Sequence, residues 1–187
     1  MIEVRPGGRR RIDRVLAPDY VRDLDRLPLG ELRRRRDEAA QEETDLSYLR
    51  RLLHARIDIV RAEQRRRLSG EPGGVVEHLV EILADQQVGS SGRHQNWEPS
   101  RTGQRRRQVE ALVADAELSD VASLSDDALR DSLSAYTNEE SSVSGRRREV
   151  QDVVDAFNSE IAGRYAHGTA SVDDLLAAER GQEESGV

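Results

Sequence analysis

The sequence predicts an all-α protein. Two long helices pair as an intramolecular, antiparallel coiled coil, with short helices in the connection between them. Three observations predict this. Hydrophobic residues are 36% of the 187 and aromatic ones only 3%, too little for a large compact core but enough for one apolar stripe per helix. Two stretches carry an apolar residue every seven positions: Leu32, Ala39, Leu46, Leu53 and Val60, then Leu129, Tyr136, Val143, Val150 and Phe157. Each stretch also has a helix stop where it should end, at Ser69-Gly70 and at His167-Gly168.

Taken in order, residues 1–26 read as an Arg/Pro/Gly-rich arm without a fixed place, with a short helical turn from Pro18-Asp19 through Leu24. Residues 27–69 hold the first long helix, free of Pro and Gly after Gly30, with Leu49 and Ile57 widening its seam. Residues 70–124 connect. They open on the turn Glu71-Pro72-Gly73-Gly74 and carry two short amphipathic helices, Val75 to Gln87 and Gln104 to Glu117, around a polar loop holding Trp97. Trp97 is either a disordered residue or an anchor for a partner. Residues 125–166 hold the second long helix, opened by the N-cap signal Leu124-Ser125-Asp126-Asp127. Gly145 lies inside it, at a cost of about 1 kcal/mol relative to Ala. Residues 167–187 are an acidic tail with one more short helix over Ser171 to Arg180.

Composition excludes several functions. There is no Cys, hence no disulfide, thiolate metal site or cysteine nucleophile. No apolar run is long enough to span a membrane, and the first residues lack a secretory h-region, so the expected location is the cytoplasm. His78 and Glu81 stand at i, i+3 without a second His, which makes a surface pair rather than a metal site. No Gly-rich phosphate loop and no nucleophile-base arrangement is present, so no enzyme is expected. All 29 basic residues are Arg, a planar donor fork suited to phosphate and guanine. They are unevenly spread. Residues 1–67 carry 18 Arg against 13 acids, and residues 68–187 carry 11 against 23. The acidic remainder, and the lack of aromatics among the Arg clusters, argue against direct DNA binding.

The two long helices resemble each other at an offset of 97 positions. The first reads Glu43, Ser47, Arg50, His54, Asp58; the second reads Glu140, Ser144, Arg147, Gln151, Asp155. At about 100° per residue, steps of 4, 3, 4 and 4 place the five side chains within roughly an 80° arc, about 90° round from the apolar seam. Each helix therefore has a polar stripe along one flank of its seam. Glu/Arg pairs at such spacing are also ordinary helix decoration. Small Ser residues in both copies, where Glu or Arg is the usual filler, favour a site. Arg can fork onto phosphate or onto guanine N7 and O6, and carboxylates can accept from guanine N1–H and N2–H. Two matching walls suit a two-fold symmetric ligand containing guanine and phosphate.

This E-x3-S-x2-R-x3-Q-x3-D pattern, once per helix of a coiled coil, resembles the cyclic-di-GMP motif of the RsiG family of actinomycete anti-sigma factors. The second copy matches throughout; the first departs once, at His54, which can still donate or accept. The resemblance covers the centres of the two long helices and a frame over much of residues 27–166. It implies two cyclic-di-GMP molecules stacked between the motifs, and a WhiG-like sigma factor as partner, held from transcribing sporulation genes. The other reading of the chain is a structural coiled-coil adaptor with no small ligand. A further expectation concerns the empty site: Arg50 facing Arg147 across the groove should repel until an anion enters.

Overall fold

The computed structural model describes residues 3–70 and 121–168. Within them every regular element is helical and there is no strand. In chain order these are α1 (Arg11–Val15), a 3-10 turn (Leu24–Arg26), α2 (Leu29–Ser69) and α3 (Asp126–Ala166). The two long helices have 41 residues each, about 60 Å at 1.5 Å per residue. The predicted short helices of the connection, the Trp97 loop, His78 with Glu81, and the tail beyond Gly168 lie outside the described residues.

The ends follow local chemistry. Ser125 caps α3: its Oγ accepts from the Ala128 N–H at 3.2 Å. Gly70 and Gly168 end α2 and α3 with φ of 69° and 68°, a left-handed turn that only glycine makes without strain. A Cβ on Gly145 would meet nothing within 4 Å, so no packing contact explains the glycine in α3.

The chain divides into two compact units, to each of which both long helices contribute. The first unit takes Glu43–Arg148 together with Met1–Glu3. Its core is the heptad seam: Leu46, Leu53 and Val60 of α2 with Leu129, Tyr136 and Val143 of α3, flanked by Leu49, Ile57 and Val121. The cross-helix contacts fix the direction. Arg67 of α2 reaches Asp126 at the start of α3 (2.6 Å), while Glu43 reaches Arg147, so the helices run antiparallel.

The far end of α2 in this unit is tied by Glu63, which is fully buried although charged. Its carboxylate accepts from Arg66 Nε (2.8 Å) and Nη2 (2.9 Å) and from Arg67 Nε (2.7 Å). Arg67 extends the tie to the Ala122 carbonyl at 3.2 Å. The Arg66 hydrogen bonds, with Arg67 adding and burial opposing, hold the Glu63 carboxyl down at about 2. A carboxyl depressed on folding contributes stability above its unfolded value, and loses it as pH falls toward the folded value. The thermal midpoint should therefore be flat above about pH 5 and fall steeply between about pH 4.5 and 2. Glu63→Gln should lower stability at pH 7 by about 1–3 kcal/mol and flatten that acid limb, as thermal melts across pH will show.

The second unit takes Val4–Glu42 and Glu149–Val187. Here the seam residues Leu32, Ala39, Val150 and Phe157 are buried together with Ile12 and Val15 of α1. Composition marks the start of the chain only as an Arg/Pro/Gly-rich arm. What the structure adds is an apolar pair at i, i+3 that goes into the core, and a clasp that shapes the segment. Asp13, itself buried, accepts from Arg10 Nε (2.7 Å) and Nη2 (2.6 Å) and from the Arg5 N–H (2.9 Å). Gly8 passes so close that a Cβ there would lie 2.3 Å from an Asp13 oxygen. Tyr20 sets its ring edge-on to Phe157, with centroids 5.7 Å apart, and donates its hydroxyl to the Arg35 carbonyl at 2.9 Å. Residues 18–23, where a short helical turn is expected, form non-helical turns, and the regular element, the 3-10 turn, begins only at Leu24. Arg164 of α3 holds that turn by donating to the carbonyls of Leu24 (2.8 Å), Asp25 (3.0 Å) and Leu27 (2.6 Å). Since Leu27 precedes α2 and Arg164 is near the end of α3, the helices are antiparallel in this unit too.

Candidate functional site

The polar stripes of α2 and α3 meet in the first unit. Each stripe begins with the same local bond, a serine hydroxyl donating one turn back to a glutamate. Ser47 Oγ donates to Glu43 Oε1 at 2.8 Å, and Ser144 Oγ donates to Glu140 Oε1 at 2.6 Å. A helix presents residues four apart on one face, so this bond follows from spacing alone.

The next contacts cross between helices. Arg147 Nη1 donates to Glu43 Oε1 at 3.0 Å, and Arg50 Nε lies 3.4 Å from Glu140 Oε1. The 97-residue offset turns one pair into the other, Glu43 into Glu140 and Arg147 into Arg50. Antiparallel pairing thus gives the cluster an approximate two-fold axis. His54 breaks that symmetry, with its Nε2 3.1 Å from Glu140 Oε1. Against an ionised carboxylate, that ring nitrogen is the one carrying the hydrogen.

Electrostatics support an ionised Glu140. Partial burial pushes its carboxyl up, but the Ser144 hydroxyl, His54 and Arg50 together outweigh burial and hold it below the ordinary glutamate range. The expected repulsion between the two arginines is therefore not what the structure has. Each arginine reaches the glutamate of the other motif. The physical reason is register: an antiparallel pair centred between the motifs sets the first position of one opposite the third position of the other. Charge is balanced within the cluster, two carboxylates against two guanidinium groups.

These side chains thus form two matching groups, Glu43 with Ser47 and Arg147, and Glu140 with Ser144, Arg50 and His54, related by that axis. Two of the donors remain reachable: the Arg50 side chain is 41% exposed and that of His54 39%. Asp58 lies one turn beyond His54 on α2 and is half-buried. Gln151 and Asp155 follow Arg147 along α3, are exposed, and belong to the second unit. The arrangement offers guanidinium forks held by carboxylates near the surface, which is chemistry for binding an anion rather than for breaking bonds.

The sequence model of the RsiG-like family matches residues 18–83 and 115–179, spans that take in both long helices and both motifs. The chain belongs to the RsiG-like family. At the family level this is an RsiG-type anti-sigma factor, a regulatory class whose general partner is a sigma factor. No curated protein matches the chain. No helix among the described residues of this RsiG-like chain is long and apolar enough to cross a membrane.

Sequence reasoning missed three further groups that shape the scaffold of this RsiG-like protein. Glu63, Asp13 and Arg164 each make several bonds that hold an element end. Glu63 and Asp13 each had a local signal, arginines three or four positions away; the carbonyl partners of Arg164 on another segment carry no periodic mark.

Proposed function

We propose that this protein is a cyclic-di-GMP-dependent anti-sigma factor. The two motifs bind the nucleotide, two molecules stacked as a dimer, and the loaded protein holds a WhiG-like sigma factor away from core RNA polymerase in the cytoplasm. Genes of sporulation stay silent while the nucleotide is abundant. The observation carrying this reading is the two-fold cluster: the first three positions of two copies of one motif, each glutamate set on the other copy's arginine, with partly exposed arginine forks related by an axis such as a symmetric dinucleotide possesses. Arg50 and Arg147 take phosphate or guanine, and Asp58 and Asp155 read the guanine N1–H and N2–H edge of the ligand. The protein performs no catalysis and makes no direct contact with DNA. Ligand and partner strengthen each other by the same factor, as linkage requires.

The test is co-purification of the full chain with a WhiG-like sigma factor at varied cyclic-di-GMP. The expected result is a complex with nucleotide and at least tenfold less without it. Equal binding in both conditions refutes the switch. A second reading, the plain coiled-coil adaptor, gains weight from the cross-helix pairs themselves, since Glu–Arg pairs also pin register in coils that bind nothing. The adaptor shows no nucleotide binding in a direct titration.

A further inference from the structure

The arginines that an anionic ligand needs are each held by a carboxylate of the opposite motif. Arg147 is on Glu43, and Arg50 is on Glu140. Each glutamate is in turn steered by its own serine, and in both carboxylates the same oxygen, Oε1, receives the serine and the arginine. Glu140 Oε1 also faces His54. These carboxylates sit where charged ligand oxygens would have to go to reach the same nitrogens.

We propose that Glu43 and Glu140 act as internal counter-anions, which occupy the facing nitrogens of Arg147 and Arg50 and must be displaced from them before an anionic ligand can bind. The proposal rests on reading the two motifs as an anion site, and adds how that site is gated. Displacement costs affinity but confers selectivity. A single small anion replaces one carboxylate with little gain, because a carboxylate and a phosphate make similar charge-assisted bonds to guanidinium. A ligand carrying two phosphates and bases to stack gains enough elsewhere to open both latches. The latches are unequal. Glu43 holds one cross-helix partner, Arg147, whereas Glu140 holds two, Arg50 and His54. The Glu140 latch has the longer arginine contact, 3.4 Å against 3.0 Å, but its release frees two donors rather than one.

Two probes test this on the full chain: cyclic-di-GMP by calorimetric titration, and inorganic pyrophosphate by thermal shift. The proteins compared are the wild type, Glu43→Gln, Glu140→Gln, the double variant, and Asp131→Asn, which removes one charge from an exposed position of α3. Pyrophosphate decides the gate. Each Gln variant should bind it about 3- to 10-fold more tightly than the wild type, Glu140→Gln more than Glu43→Gln, with Asp131→Asn unchanged. Gln variants that bind pyrophosphate no better than Asp131→Asn overturn the proposal. The wild-type nucleotide titration decides the underlying reading separately: absent cyclic-di-GMP binding sinks that reading, while the pyrophosphate result still stands for or against the latches. Each single variant leaves one latch in place, so the comparison remains readable if the double variant does not fold.

Discussion

Replacing Arg147 by alanine is expected to abolish cyclic-di-GMP binding, with a loss of about 100-fold or more, while the far-ultraviolet circular dichroism stays helical. The two halves of that result have separate causes. Arg147 lies off the apolar seam, and its pair with Glu43 is a partly exposed one, worth under about 1 kcal/mol to the fold. For the ligand it is one of two guanidinium forks, related to Arg50 by the axis of the cluster, and losing it leaves half of a symmetric anion without a counter-charge. Arg147→Lys keeps the charge but removes the planar fork, so it too should bind poorly. Normal binding by Arg147→Ala would make the stripe surface decoration and leave the adaptor reading standing.

The largest effect on stability is expected from Phe157→Ala. Among the described residues Phe157 is the largest fully buried side chain, in a sequence with a single Phe and a single Trp. Its ring takes the edge of Tyr20, whose hydroxyl is bonded to the Arg35 carbonyl and to Glu38. Truncation opens a cavity and strips Tyr20 of its support, at about 3–5 kcal/mol. A thermal melt should show the midpoint falling by about 10–20 °C. A drop below about 3 °C would mean that the second unit does not depend on this contact. Val150→Ala, a smaller truncation at another fully buried seam position, should cost less.

Much of the scaffold was legible because its determinants are local. A heptad seam needs only seven-residue spacing, and all ten predicted seam residues, Leu32, Ala39, Leu46, Leu53, Val60, Leu129, Tyr136, Val143, Val150 and Phe157, are buried. The Ser125 cap and the glycine stops at Gly70 and Gly168 act over four or five residues, so they too can be read from neighbours. The serine-to-glutamate bonds of the stripes belong to the same class, because i and i+4 share a helix face whatever surrounds it.

What the sequence by itself determined, then, is which side chains stand on which face of which helix. Only the tertiary structure decided what those side chains meet. The stripes could be read as two rows of like charge, with Arg50 and Arg147 repelling, until register set each arginine against the glutamate of the opposite motif. The opening segment reads as an arm by composition, and α1 acquires a place only because Ile12 and Val15 are buried in the second unit and Arg14 reaches Glu38 of α2. The carbonyls of Leu24, Asp25 and Leu27 likewise find Arg164 nearly 140 positions away. Such pairings depend on the direction and register of two helices, which are set by the sum of many weak seam contacts rather than by any one residue. Periodicity records the face a residue occupies; it carries no mark of the residue across from it.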